Sequence, residues 1–300
     1  MNRIEHQTPR FGIIIPVRLM PTELPGSIDS ILEQTIDGRK VNTEGHWDVD
    51  LIVVVDDIDP DTKAVLDSYG DRIRWVEGDK RRQAGAINKG LQMTNGQLVK
   101  WVNADDRLLP GCLQAVNDAF SEDPQTAFVY GDVTFLDSRG NPVAEHLEPA
   151  FSKFILLYGH NLFADPTCFW RRDIHKDVGP IPEGTKYSMD YAFWINVIQA
   201  NKSVKQIKRN LAAFKVTGQN LSIKNFRAMR NEHFDELSKH SKTLKLLPIQ
   251  SRRAYLTLLL YIARTVKIIN VAHQRKVFRI GRFGNIVASE IDISKNHQIK

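Results

Sequence analysis

Cysteine is scarce: Cys112 and Cys168 are the only two in 300 residues. Two thiols cannot build a disulfide framework. No C-x-x-C pair exists to start a structural zinc site, so a reducing compartment is expected. The opening MNRIEHQTPR lacks the apolar stretch of a signal peptide, and export is not expected. Long hydrophobic runs are missing too. The longest apolar stretch, Ala254–Ala263, has ten residues against the roughly 20 that cross a bilayer. No spanning segment and no translocation channel are therefore expected. Neither G-x-x-x-x-G-K-[ST] nor a G-x-G-x-x-G after the first strand occurs, which disfavours ordinary ATPases and dinucleotide oxidoreductases. Internal repeats and low-complexity runs are absent. What remains is ordinary: 42% hydrophobic and 25% charged residues. That composition excludes a wholly disordered or fibrous chain, and the length fits one large domain or two modest ones.

Charge is unevenly placed. Residues 240–300 carry twelve Lys/Arg and two acids (Glu290, Asp292), a net +10, while the rest of the chain sums to −4. Positive charge gathered in the last fifth of a chain points to an anionic partner. In a helix over 250–270, Tyr255, Leu258, Leu259, Ile262, Val266 and Ile269 share one face. Arg253, Arg264 and Lys267 share another, and Arg275, Arg279 and Arg282 follow, interleaved with Phe278 and Phe283. This basic amphipathic pattern over 250–283 suits an anionic membrane surface. A helix packed on the body of the protein with a solvated basic face fits it equally. Nucleic acid is not an expected partner, because no recognition module is present.

The first two-thirds alternates strands and helices. FGIIIPV (11–17) and DLIVVV (50–55) are short continuous apolar runs, as strands buried on both faces require. QLVKWV (97–102) is a third such strand, and Arg72–Glu77 a weaker one. Helices are predicted from Pro25 to Thr35, from the Asp59-Pro60 cap to Tyr69, over Ala84–Met93 and from Pro110 to Phe120. Repeated β-α-β units imply a parallel sheet with helices on both faces, whose ligands bind beyond the carboxyl ends of the strands. Past residue 131 the spacing predicts a hairpin (132–136 with 142–146) and strands at 127–130, 167–171, 204–207 and 212–216. Helices are predicted at 151–158, 188–200 with Ser188 as cap, 224–242 and 250–270. A boundary between body and tail falls near Pro248.

Acids cluster after two of the strands. Asp56 and Asp57 follow LIVVV; Asp105 and Asp106 follow WVNA. In a parallel sheet both pairs land on one rim, where four carboxylates repel unless a cation or a donor-rich ligand sits among them. Oxygen ligands suit Mg²⁺ or Mn²⁺, which complete their shells with phosphate and water. Taken singly, each acid also reads as a helix cap or a solvated turn. Between the pairs lies GDKRRQAGAINKG (78–90): bases at a helix N-terminus followed by small residues, an arrangement suited to an anion and also to a plain basic turn.

The ordered segments IIIPV, VVVDDIDPDT, RRQAGAINKG, KWVNADDRLLPG, PTCFWRRDIHKDVG and YSMDYAFWINV resemble the family 2 inverting glycosyltransferases. These have the nucleotide-diphospho-sugar transferase (GT-A) fold, an α/β architecture with a central mostly parallel sheet. The resemblance covers about residues 10–220. It implies transfer of a sugar from a nucleotide-diphospho-sugar donor to a saccharide or lipid-linked acceptor, in cell-surface polysaccharide or glycoconjugate synthesis. Asp56 and Asp57 match the acids that contact base and ribose, and Arg82 a basic residue on the nucleotide. Pro16 and Asn88 fall in the donor-binding segments. Asn103, Asp105 and Asp106 match the metal motif, with Asp105 the first choice as ligand to Mn²⁺ or Mg²⁺ and Asp106 next. Asp190 matches the catalytic base; by position alone it is also an acid in a helix first turn. Two positions depart from the family pattern: Arg18 stands where an aromatic is frequent, and Asn103 where Asp is.

The implied division is a catalytic domain over 1–240, its donor half about 10–131 and its acceptor half about 132–240, followed by a basic helical extension over 241–300. The implied location is cytoplasmic, peripheral at the inner face of the membrane. Two rival readings fit the residues less well. A sugar-phosphate nucleotidyltransferase lacks its glycine-rich first loop here, since PVRLMPTELPG follows strand one. A degenerate scaffold anchored by the tail has no need of Asp105, Asp106 and Asp190. Trp170 and Trp194 read as core residues more readily than as sugar platforms. His146, His160 and His175 read as surface or core residues, and Glu148 and Asp165 fall in the acceptor region without a finer role. The loop 37–48 has no assigned role.

Overall fold

A computed structural model describes residues 9–43, 46–158, 163–217, 220, 224–240, 244 and 247–275. The chain opens with β1 (Phe11–Val17) and α1 (Leu24–Leu32). The loop at 37–48 forms parts of two small hairpins: β2 (Thr35–Ile36) with β3 (Arg39–Lys40), and β4 (Asn42–Thr43) with β5 (His46–Trp47). Then come β6 (Val49–Val55), α2 (Pro60–Tyr69), β7 (Arg74–Glu77), α3 (Arg82–Met93), β8 (Leu98–Trp101), β9 (Arg107–Leu108) and α4 (Cys112–Glu122). The second half holds β10 (Phe128–Leu136), β11 (Pro142–His146), α5 (Lys153–Tyr158), β12 (Phe169–Arg171), α6 (His175–Val178), α7 (Met189–Gln199) and β13 (Val204–Lys215). The last two helices are α8 (Phe226–His240) and α9 (Ile249–Arg275).

Nine strands form one sheet in the order β7-β6-β1-β8-β12-β10-β13-β9, with β11 on β10. The β7-β6-β1-β8 half is parallel. The other half is mixed: β12 runs antiparallel to both β8 and β10, while β13 runs parallel to β10. The apolar runs alternate faces as a doubly covered sheet demands. Phe11, Ile13, Ile15 and Val17 point into a core with α1 and α4. Ile14, Ile52, Val54 and Val99 point into an opposite core with α3 and α7. Pro16, which has no N–H for a ladder, lies past the last β1–β8 pair, Ile14↔Trp101. Gly96 lets the start of β8 press on β1: a Cβ there would lie 2.0 Å from the Gly12 nitrogen.

Most predicted elements appear within a few residues of their expected ends. Asp59 caps α2 as read, its Oδ1 accepting from the amides of Asp61 and Thr62 at 3.0 Å each. The strands expected at 204–207 and 212–216 are one strand. Its polar middle, Lys208-Arg209-Asn210, bulges where the register against Gly131 and Asp132 shifts. A bulge can carry polar residues without ending the strand. Trp170 and Trp194 are core residues, 1% and 0% exposed. His175 is half-buried and structural: its Nδ1 donates to the Gly179 carbonyl at 2.8 Å, and its Nε2 accepts from Trp170 Nε1 at 3.0 Å. His160 lies outside the described residues.

The C-terminal helix differs from expectation in which face it buries. Leu256, Leu260 and Ala263 are buried, Leu256 beside Leu237 and Leu244. Lys267, expected on a solvated basic face, instead reaches the buried Glu148 at 3.1 Å and His146 at 3.3 Å. Asn270 accepts from the Ala150 amide at 2.9 Å. The residues from Ala254 to His273 are also long and apolar enough to cross a membrane by length and composition, which the ten-residue reading missed because Arg264, Thr265 and Lys267 interrupt the run.

Candidate active site

The first part of the site is the rim where β1, β6 and β7 end. Asp56 continues the parallel ladder, its amide donating to the Val17 carbonyl at 2.9 Å. Its carboxylate is nearly buried and accepts the Lys80 amide at 3.1 Å. Gly78 is required beneath it, since a Cβ there would meet Asp56 Oδ1 at 2.0 Å. Asp57 is gripped from two sides, by Arg18 Nε at 2.8 Å and Lys80 Nζ at 3.0 Å. The Lys80 hydrogen bond first, then that of Arg18, holds the Asp57 carboxyl below the usual carboxylate range.

The backbone of this rim is strained. Among the described residues six non-glycine positions have left-handed φ, and four of them are Leu19 (52°), Asp57 (58°), Lys80 (55°) and Arg82 (62°). Such residues cost of order 1–3 kcal/mol each and persist where the surroundings over-determine them, most often at functional sites. Arg82 is exposed at the first position of α3. Asn88, on the same helix, turns elsewhere: its amide both donates to and accepts from Ile181 at 2.9 Å and donates to Glu183 at 2.9 Å. It buttresses the 181–183 loop.

The second part lies where β8 ends. Gln83 of α3 donates to Asn103 Oδ1 at 2.6 Å and so ties the first rim to this one. Asn103 in turn donates to Asp106 Oδ2 at 2.8 Å and, more weakly, to Asp165 Oδ2 at 3.5 Å. Trp101 Nε1 donates to the same Asp165 oxygen at 3.0 Å. Lys100, wholly buried, reaches the Asp165 carbonyl at 3.4 Å and lies over the Phe169 ring at 5.1 Å. Asp190, in the first turn of α7, is close enough for its charge to raise the Asp165 pKa. Sequence reasoning left Asp165 without a role and passed over Lys100, Trp101 and Gln83. The lone lysine inside the apolar run LVKWV was the available signal.

Charge in this part is poorly compensated. Burial first, then Asp105 and Asp165, push the Asp106 carboxyl well above the ordinary range against the pull of Asn103 and Lys100. Burial also raises Asp165, to about 7, opposed by Lys100. The Lys100 ammonium is itself pushed down by burial. Asp105 is raised by burial and by Glu23, with Lys215 opposing. It feels different neighbours from Asp106, so the two adjacent acids diverge. Asp106 Oδ1 is buried and has no hydrogen-bond partner. An orphaned carboxylate oxygen costs free energy unless something pairs with it.

That oxygen is the test of whether a divalent cation fits. Among the described residues no three carboxylate, His or Cys side chains converge as a ready-made cage. Mg²⁺ and Mn²⁺ sites need none: one or two carboxylates plus ligand phosphates and water suffice. The donor set Asp106, Asp105 and Asn103 fits such an ion.

One aromatic stack fixes the two halves of this cluster together. Trp101 of β8 stacks on Trp194 of α7 at 5.5 Å with planes 6° apart. Asp190 sits one turn before Trp194, so the stack sets its helix against the strand that leads to Asn103. Ser188 occupies the cap position of α7, but its hydroxyl makes no capping bond. It donates instead to Glu232 of α8 at 2.9 Å, and that carboxylate also accepts the amides of Lys186 (3.0 Å) and Tyr187 (2.8 Å). A carboxylate from a distant helix thus holds the segment that leads into α7 and takes up the serine hydroxyl.

Comparison with known proteins gives the family and the fold. The model of the family "Glycosyl transferase family 2" matches residues 12–179. A Rickettsia prowazekii protein described as an uncharacterized glycosyltransferase is 25% identical over 205 residues, which cover 65% of this chain and 60% of that protein. This chain therefore spans less than two thirds of that relative. A Mycobacterium bovis "PGL/p-HBAD biosynthesis glycosyltransferase" is 24% identical over 88% of this chain and 94% of its own length. Among solved structures, the Pyrobaculum calidifontis mannosyltransferase PcManGT, in complex with GDP-Man and Mn²⁺, superposes with a TM-score of 0.60 at 16% identity. That alignment covers 96% of this chain and 81% of the other, and the likeness is one of fold.

Proposed function

The chain belongs to glycosyl transferase family 2, and from that premise we propose that it moves a sugar, with inversion, from a nucleotide-diphospho-sugar to a saccharide or lipid-linked acceptor, in the synthesis of polysaccharide or glycoconjugate. The catalytic unit spans residues 1–240, with the donor on the 10–131 half and the acceptor on the 132–240 half. The observation that carries this reading is the under-compensated acid cluster, with its orphaned Asp106 oxygen, tied through Gln83 and Asn103 to the strained Asp57–Lys80 rim. An acid surplus at one end and paired bases at the other suit a ligand that is itself a diphosphate between a nucleoside and a sugar.

Asp57 and Asp56 present carboxylate oxygens to the hydroxyls and ring nitrogens of a nucleoside. Arg18, exposed beside Asp57, offers a guanidinium plane that stacks on a base. Arg82 and Lys80 supply positive charge to the phosphates. Asp106, Asp105 and Asn103 would hold a divalent cation, which would supply Lewis-acid neutralisation of the leaving diphosphate. Asp190 takes the proton of the acceptor hydroxyl as it attacks, a role worth roughly 10²–10⁴-fold. Asp165, its pKa raised to about 7, is largely protonated below neutrality and so spares Asp190 a second full negative charge nearby. Attack opposite the leaving group with a single base inverts the anomeric centre.

The test is a thermal-shift panel of nucleoside diphosphates and nucleotide sugars with and without Mn²⁺, followed by NMR of the product's anomeric proton. One nucleotide that stabilises the fold only with metal, and a product of opposite anomeric configuration to the donor, support the reading. Retained configuration rejects inversion; no nucleotide response rejects the donor.

A further inference from the structure

Helix α9 carries two apolar faces, and the protein body uses one of them. Leu256, Leu260 and Ala263 are buried, and Lys267 and Asn270 continue that seam to Glu148 and Ala150. Turned away from it, Tyr255, Leu258, Ile262, Val266 and Ile269 follow one another at three- and four-residue steps and are all exposed, with Tyr261 and Ile268 beside them. Leu258 is 58%, Tyr261 64% and Ile269 61% exposed. Isolated apolar side chains at a surface need no explanation, but a contiguous stripe of seven does.

We propose that this stripe lies in the headgroup region of an anionic membrane, so that α9 is an in-plane anchor and not a membrane span. Two observations select that occupant. The first is charge: α9 has five Lys/Arg and no Asp or Glu, and residues 276–300 add five more Lys/Arg against two acids. A second copy of the same face would bring like charges together, whereas an anionic lipid surface complements them. The second is the docked seam. Ala254–His273 has the length and composition to cross a bilayer, but crossing would pull Lys267 off the buried Glu148 and strand that carboxylate. With the seam intact, only the outer stripe can meet lipid, as in interfacial amphipathic helices. Tyr255 and Tyr261 on the outer side have the amphipathic rings that favour the membrane–water interface. The buried Lys267–Glu148 pair then sets the angle at which the catalytic body stands on the surface. The inference does not depend on the identity of the donor or acceptor.

The experiment is vesicle co-sedimentation of the full chain, without donor or acceptor, on phosphatidylglycerol-containing and on pure phosphatidylcholine vesicles. Sedimentation velocity is run beside it. The wild type is expected to bind the anionic vesicles as a monomer. Ile262→Glu/Ile269→Glu is expected to lose roughly tenfold or more in binding with an unchanged melting temperature, since both residues are exposed. Arg279→Glu/Arg282→Glu is expected to weaken the preference for anionic lipid while leaving stripe-dependent binding. Full binding by the isoleucine double variant overturns the proposal. So does a wild-type dimer that the double variant converts to monomer, which would give the stripe to a second copy. Failure of the full chain to bind, with binding gained on removal of 276–300, also overturns it, because the chain's own terminus would then cover the face.

Discussion

The two ends of the candidate site handle carboxylates in opposite ways. At the β1/β6 rim, Asp57 is open to water and already held by Arg18 and Lys80, and its pKa is lowered. At the end of β8, Asp106 and Asp165 are raised by burial, with one buried lysine between them. Exposed pairs of the first kind contribute little to stability, because solvent screens them. Buried acids without matching cations are a standing cost. The contrast locates where added positive charge would relieve the greatest cost: not where acids are most visible, but where they are least satisfied.

The sharpest break in the comparison is Asp190→Asn. Transfer should fall by roughly 10²–10⁴-fold, while nucleotide affinity, measured calorimetrically, stays within about twofold of wild type. Unchanged turnover removes Asp190 from the base role. Next, Asp106→Asn should separate stability from function. The metal-free protein should melt higher, because a buried acid has been neutralised, yet lose its Mn²⁺-dependent stabilisation by nucleotide. A metal-free melting temperature below wild type contradicts the claim that Asp106 is under-compensated.

A pH titration sharpens the same contrast. Asp165 has a folded pKa of about 7 against an ordinary 3.8, so the folded state holds a proton that the unfolded state has released between those values. Its contribution therefore destabilises progressively as pH rises from about 4 through 7. Melting temperature should decline over that window, less steeply in Asp165→Asn, and Mn²⁺ should recover more at pH 7.5 than at pH 5. An unaltered slope in Asp165→Asn assigns the titration to another group. The smallest effect is expected at the exposed rim. Arg18→Ala should leave melting unchanged and raise the donor KM several-fold without altering kcat, which steady-state kinetics resolves.

Much of this was readable from the residues in order. The apolar runs at 11–17 and 50–55 fixed strands because no other element buries so many branched side chains without a polar face. Asp59-Pro60 marked a helix start because cap and proline each need that position. The acids after β6 and β8 were expected at one edge because a parallel sheet delivers its strand ends there, and α3 touches both acid-bearing loops, through the Lys80 segment before it and through Gln83. What could not be read came from distant parts of the chain. Asp165 matters because a turn before β12 brings it to Trp101 and Asn103, more than sixty residues earlier. Glu232 binds the Ser188 hydroxyl and the amides just before α7, and only tertiary packing brings α8 there. In α9 the helical spacing identified an apolar face and a basic face, but not the Leu256–Leu260–Ala263 face that the body takes. That was decided by Glu148, whose buried carboxylate needs Lys267.

On the proposed reading a divalent cation completes the Asp106 cluster and carries the diphosphate. Calorimetric titration of the cognate nucleoside diphosphate, with and without Mn²⁺, in wild type and Asp106→Asn tests it most directly. At least about tenfold tighter binding with Mn²⁺ in the wild type, a gain of 1.4 kcal/mol or more, and none in the variant is the predicted result. Equal affinity with and without metal in the wild type, or an undiminished metal effect in Asp106→Asn, would contradict it.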